Sequence, residues 1–94
     1  MKKFKSGAIR QETAGQGRYD LLSPYAIHRL AKVYEEGCRK YEDRNWEKGI
    51  PESNLLDHAL RHIFAYMMGK NDEDHIGHAV WNLCAILHFQ EKKK

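Results

Sequence analysis

The chain has 94 residues and a mass of 11.0 kDa, enough for one small domain that buries only ~60–65% of its unfolded surface. It is 41% hydrophobic and 31% charged, with 7 Gly and 2 Pro, which excludes a disordered or collagen-like chain and leaves no room for a second domain. The net charge of +3 comes from Lys2, Lys3, Lys5, Lys92, Lys93 and Lys94 at the two ends, which read as solvating tails, so nucleic acid is not an expected partner.

Residues 1–22 form an arm with Gly7, Gly15 and Gly17 and no sustained periodicity. Ser23 and Pro24 then supply an N-cap and a first helical residue. Ile27, Leu30, Ala31, Tyr34, Cys38 and Tyr41 follow at helical spacing, which predicts a first helix over 24–41. A polar loop carrying Trp46 and Ile50 ends at Gly49 and Pro51. Ser53 is read as the cap of a second helix over 54–68, closed by Gly69. Asn71 or Asp72 is read as the cap of a third helix over 73–90, with Ile76, Ala79, Val80, Leu83, Cys84 and Leu87 as its stripe.

No segment alternates with period two, so the expected class is all-α: a small antiparallel bundle of three helices in one domain, 1–94, with an irregular N-terminal arm. Wide apolar stripes on so few helices predict that a homo-oligomer completes the core. No apolar run approaches the ~18–20 residues of a membrane span, and no apolar stretch follows the charged start, so neither a membrane nor a secretory signal is expected. Cys38 and Cys84 lack CxxC spacing, which argues against a disulfide framework or cysteine-bound zinc and for a reduced, cytoplasmic setting.

Polar residues form second stripes beside the apolar ones. His75, His78 and Asn82 share a flank of the third helix, with Asp74 four residues before His78. His58, Arg61 and His62 share a flank of the second, and His28, Lys32, Glu35 and Arg39 a flank of the first. Each has a plain reading: Glu35 with Arg39 as a surface ion pair, Asp74 as a helix-dipole partner, Trp46 as an anchor over the bundle end. A tight turn joins the second and third helices, however, so their histidine stripes can face one another. Imidazole, amide and carboxylate together suit Mg²⁺ or Mn²⁺ where oxygen dominates, and zinc or iron where histidine does. Arg18, Lys40 and Arg44 are candidate phosphate contacts, and Trp46 offers a face for a base. GxxxxGK[ST], GxGxxG, HExxH and GxSxG are all missing.

Three blocks are familiar. Ser6-Gly7-Ala8-Ile9-Arg10 leads to Gly17-Arg18-Tyr19-Asp20-Leu21-Leu22-Ser23-Pro24. Lys40-Tyr41-Glu42-Asp43-Arg44-Asn45-Trp46-Glu47-Lys48-Gly49 follows. Arg61-His62, Gly69 and Glu73-Asp74-His75-Ile76-Gly77-His78-Ala79-Val80-Trp81-Asn82 close the pattern. Together they resemble the phage and bacterial dATP/dGTP diphosphohydrolase N-terminal family, allied to the MazG-like all-α nucleoside triphosphate pyrophosphohydrolases, over about residues 6–88.

The resemblance implies metal-dependent hydrolysis of purine deoxynucleoside triphosphates to monophosphate and pyrophosphate, in the control of phage nucleotide pools, with Mg²⁺ or Mn²⁺ as cofactor. Carried onto this chain, Glu35, Asp74 and His78 become metal ligands, and His62 joins them as a catalytic residue. Arg18, Lys40, Arg44, Trp46, Arg61 and Asn82 become contacts to a purine nucleotide. The sequence departs from the MazG-like pattern, which places EExxE on one helix and ExxD on another. Here Glu35-Glu36 is followed by Arg39 and Lys40, and His75 and His78 stand where carboxylates are expected. The alternative implied by that departure is a non-catalytic protein that sequesters a nucleotide or a nucleotide-derived signal.

Overall fold

The computed structural model describes residues 1–12 and 14–94. The arm opens with a small hairpin. Strand β1 (Lys2–Lys3) pairs antiparallel with β2 (Ile9–Arg10), Lys2 opposite Arg10 and Lys3 opposite Ile9. Gly7, at φ +91°, makes the turn and donates its N–H to the Phe4 carbonyl at 2.9 Å. Two residues per strand are too few to show alternation, which is why the sequence reads as irregular here. A short 3₁₀ turn at Tyr19–Leu21 then leads into the helices.

Helix α1 (Pro24–Lys40) starts as its sequence predicts: Pro24 is the first helical residue, and the Ser23 hydroxyl accepts from the Ala26 N–H at 3.2 Å. Helix α2 (Glu52–Met67) begins two residues before the expected start. Pro51, not Ser53, is its cap. The Pro51 carbonyl accepts from both Asn54 and Leu55, so the first turn already closes over Ser53. At the other end Gly69 adopts φ +80°, with Gly69 N–H on the Tyr66 carbonyl (3.0 Å) and Lys70 N–H on the Ala65 carbonyl (3.1 Å), a Schellman closure. Helix α3 (His75–Lys92) is capped by Asp74, whose carboxylate accepts from Gly77 N–H at 2.9 Å, rather than by Asn71 or Asp72. Glu73 therefore lies just outside the helix.

Helices α2 and α3 form an antiparallel hairpin. The Gln90 amide donates to Glu52 at 3.0 Å across its open end, and His62 meets His75 near its turn. Helix α1 lies along α3 in the same direction, with Arg29 on Asp74 and Tyr34 against Trp81. The centre is built from Val33, Leu55, Ala59, Ala65, Ala79 and Ala85. Alanines at a helix–helix seam let backbones approach, but they bury little area per residue. The larger apolar side chains stay out: Leu56, Leu60, Phe64, Val80, Leu83 and Leu87 are all at least two-fifths exposed. The radius of gyration is 17.8 Å, against ~12 Å for a compact chain of this length. Among the described residues no helix is long and apolar enough to cross a membrane.

Gly77 sits where α1, α3 and the Asp74 cap meet. A Cβ there would fall within contact distance of Asp74 Oδ2 and 3.0 Å from Val33 Cγ2. Alanine would normally gain ~1 kcal/mol over glycine inside a helix. Here it displaces a carboxylate held by Gly77 itself and by Arg29, and loss of a cap costs ~1 kcal/mol before the ion pair is counted. Gly77→Ala is therefore expected to lower stability by roughly 1–2 kcal/mol in urea unfolding. An increase in stability would show that Asp74 can leave without cost.

Candidate functional site

The C-terminal half of α1, the loop over 41–50 and α3 enclose a cavity of about 850 Å³, bordered by Glu36, Lys40, Arg44, Trp46, His78 and Trp81. That volume lies within the range of small-molecule sites. The loop is folded back by Arg44, the one non-glycine residue with positive φ (59°) among the described residues, and by a 3₁₀ turn at Asn45–Lys48. Such a conformation is sparsely populated for a side-chain-bearing residue, and here it lies on the cavity rim. The Lys48–Glu42 ion pair closes the loop on itself.

Trp46 is the keystone of the floor. Its ring meets Tyr34 at 5.9 Å, Trp81 at 6.1 Å, His88 at 4.7 Å and Phe89 at 5.8 Å between centroids, each in edge geometry. Tyr34 in turn lies 5.8 Å from Trp81. Burial pushes the Tyr34 hydroxyl above its ordinary pKa, so it remains a neutral donor. One wall is therefore aromatic, and the rest is of mixed charge: Lys40 and Arg44 stand among Glu36, Glu42, Asp43 and Glu47, with Arg44 paired to Glu47.

At the edge of this cavity three side chains converge. One ligand atom each from His62, Glu73 and His78 lies within 4.8 Å of the other two. Glu73 Oε1 stands 3.7 Å from His62 Nδ1 and 3.9 Å from His78 Nε2. Glu36 adds a carboxylate oxygen 3.4 Å from His78 Nε2. The two imidazoles stack at 5.1 Å with a 20° tilt. His78 belongs to both cavity and cluster and joins them.

Behind His62 runs a relay. Buried His75, only 7% exposed, places Nδ1 at 3.0 Å from His62 Nδ1 and Nε2 at 2.8 Å from Asp72 Oδ1. A carboxylate only accepts, so the His75 Nε2–H donates to Asp72, and His75 Nδ1 is left to accept from His62 Nδ1–H. The lone pair of His62 then resides on Nε2. The hydrogen bond from His75 holds Asp72 below the ordinary carboxylate range. Burial pushes His62 below the ordinary histidine value, opposed by Glu73 and reinforced by His78 and His75, so at neutral pH it is an unprotonated imidazole.

The residues singled out from sequence divide sharply. The structure brings His62 and His78 together and lines the cavity with Lys40, Arg44 and Trp46. It does not assemble Glu35, Asp74 and His78 as a ligand set. Glu35 is exposed on α1, 3.5 Å from Arg39, because one residue turns a helix by about 100° and it is Glu36 that faces α3. Asp74 is consumed by its cap and by a two-pronged pair with Arg29, 3.0 Å from Arg29 Nε to Oδ2. Arg29 first, with Gly77 N–H adding to it against burial, brings the Asp74 pKa down to about 2. Arg18 is paired in the arm with Asp20 at 2.7 Å, and Arg61 with Asp57 at 2.7 Å on the exposed side of α2. Asn82 is buried and donates to the His78 carbonyl at 2.8 Å, bracing the helix that carries His78. His58 is exposed. Glu36, Glu73 and Asp72 were not among the site residues expected from sequence, and His75 was seen in the polar stripe of α3 without a role. Glu73 was visible only as the acidic neighbour of Asp74 in the Glu-Asp-His block.

Fold and site together define a small all-α protein with an aromatic cleft of mixed charge that opens onto a histidine–carboxylate cluster. The chain belongs to the family described as dATP/dGTP diphosphohydrolase, N-terminal, which matches residues 6–94. No curated protein and no solved structure matches it.

Proposed function

We propose that the cleft binds a purine deoxynucleoside triphosphate and that the protein hydrolyses it to monophosphate and pyrophosphate. Membership of the family supports the substrate class. The observation that carries the site is His78, which lines the cavity and is also part of the metal-competent cluster. In this reading the base lies against the Trp46 and Trp81 rings, and the polyphosphate runs toward Lys40 and Arg44. His62, Glu73 and His78 would hold a divalent cation of the Mg²⁺ or Mn²⁺ type, which supplies charge neutralisation to the polyphosphate when bound. Of the two, Mn²⁺ fits the donors present, since Mg²⁺ favours oxygen alone. Glu36, a cavity-lining carboxylate beside His78, is placed to take the proton of an attacking water. Asn82 and the Asp72–His75 relay hold the two histidines in orientation.

The half-exposed apolar stripes of α2 and α3 support assembly as a homo-oligomer. Light scattering is expected to give a mass that is a multiple of 11.0 kDa, and a monomer would reject the assembly.

The test of the activity is chromatography of dATP, dGTP and ribonucleotides after incubation with Mg²⁺, Mn²⁺ or EDTA. Monophosphate and pyrophosphate are expected only with metal. Intact nucleotides that nonetheless co-elute with the protein would select the sequestering alternative instead.

A further inference from the structure

We infer that His62, Glu73 and His78 form a resident site for a borderline transition ion of the Zn²⁺, Co²⁺ or Mn²⁺ class, which loads without nucleotide and is taken in preference to Mg²⁺. The inference deepens the reading above by naming the ion for the same site, yet its test needs no hydrolysis.

Ligand atoms at ~2.1 Å from an ion are ~3.4 Å apart in a tetrahedron and ~3.0 Å along an octahedral edge. Glu73 Oε1 stands 3.9 Å from His78 Nε2, and a ring nitrogen of His62 lies within 4.8 Å of both ligand atoms. The Glu73–His78 separation is too long for a hydrogen bond, and a contraction of under about 1 Å would close it on an ion. The cluster converges without satisfying itself. Glu36 Oε2, 3.4 Å from His78 Nε2, borders the same site.

Donor chemistry comes second. Two imidazoles with one or two carboxylates suit Zn²⁺, Co²⁺ and Mn²⁺, with Mn²⁺ the weakest of the three, whereas Mg²⁺ demands oxygen ligands and keeps its water.

Support behind the ligands is the third and independent observation. A ligating histidine characteristically donates its other N–H to a fixed acceptor, which sets its tautomer. His62 does so to His75, which is buried and itself anchored on Asp72 at 2.8 Å. That tautomer presents the His62 Nε2 lone pair. A surface histidine pair has no need of a buried third imidazole oriented by a carboxylate.

The experiment titrates the EDTA-stripped full chain, with no nucleotide present, with Co²⁺ followed by visible absorption and with Zn²⁺ followed by calorimetry. One equivalent per chain is expected, with a cobalt spectrum that excess Zn²⁺ abolishes and excess Mg²⁺ leaves intact. His78→Ala and Glu73→Gln are expected to weaken binding at least 100-fold, and His75→Phe, with the ligands untouched, about 10–100-fold. Circular dichroism confirms that each variant is folded, and His58→Ala serves as the surface-histidine control. Stoichiometric binding without any nucleotide turnover would uphold the inference and reject the hydrolytic reading. No cobalt spectrum, displacement by Mg²⁺, or unchanged affinity in His78→Ala and Glu73→Gln would overturn the inference, even if the protein hydrolysed nucleotide with Mg²⁺.

Discussion

Trp46→Ala is expected to cost about 3 kcal/mol of folding free energy, the largest loss of any single side chain outside the helices. Its ring is the common partner of Tyr34 on α1 and of Trp81, His88 and Phe89 on α3. Edge-to-face pairs of this kind contribute ~0.5–1.5 kcal/mol each beyond the area they cover. The loop around 41–50 has few other ties to the bundle, because Lys48–Glu42 and Arg44–Glu47 close it only on itself. With ~1 kcal/mol worth 4–8 °C in a domain this small, the midpoint should fall by more than 12 °C in a melt followed by circular dichroism. Trp46→Phe, which keeps part of the edge contacts, should lose about half as much. The sequence left two roles open, an anchor of the bundle end or a face for a base. A variant that kept its melting temperature and lost only nucleotide affinity would make Trp46 a ligand contact alone. The geometry has it serve as anchor first, with the cavity formed against it.

The helices were legible because each carries an apolar stripe at a period of 3.6 residues, and Ser23-Pro24 and Gly69 mark two ends by rules that depend only on neighbouring atoms. The start of α2 was misplaced because its first turn closes on the Pro51 carbonyl with no side-chain cap, and that of α3 for a different reason. Several residues in a row can cap, and the one that does is chosen by what lies beyond the helix. Asp74 rather than Asp72 caps α3 because Arg29, far back in the chain, holds its second oxygen, while Asp72 is occupied by His75. The same selection decided the site. His62 and His78 were within reach because a tight turn forces two stripes to face each other. The choice of Glu36 over Glu35, and of Glu73 over Asp74, turns on the rotation of α1 against α3 and on a single long-range arginine. Neither is written in local spacing. Arg18, Arg44 and Arg61 show the converse, in that short-range acids at Asp20, Glu47 and Asp57 pair with them before any ligand arrives.

That division gives the second large effect. Glu73→Gln and His78→Ala are each expected to lower metal-dependent kcat/KM by about 10³, or ~4 kcal/mol of transition-state stabilisation, while Glu35→Ala stays within twofold of the parent. Glutamine keeps the size and polarity of Glu73 but removes the charge that faces both imidazoles. The carboxylate lies outside α3, in a segment whose backbone is fixed by the Asp74 cap that follows, so the substitution should leave the melting temperature within about 2 °C. Asp74→Asn behaves oppositely. It retains an oxygen to accept from Gly77 but loses the ion pair with Arg29, so stability should fall while the dependence on metal concentration stays as in the parent. Steady-state rates across a metal titration, with melting curves on the same samples, separate the two kinds of loss. A collapse of activity in Glu35→Ala with Glu73→Gln unimpaired would return the metal to the carboxylates that the family resemblance favours. The histidine pair would then be packing at the end of a helical hairpin.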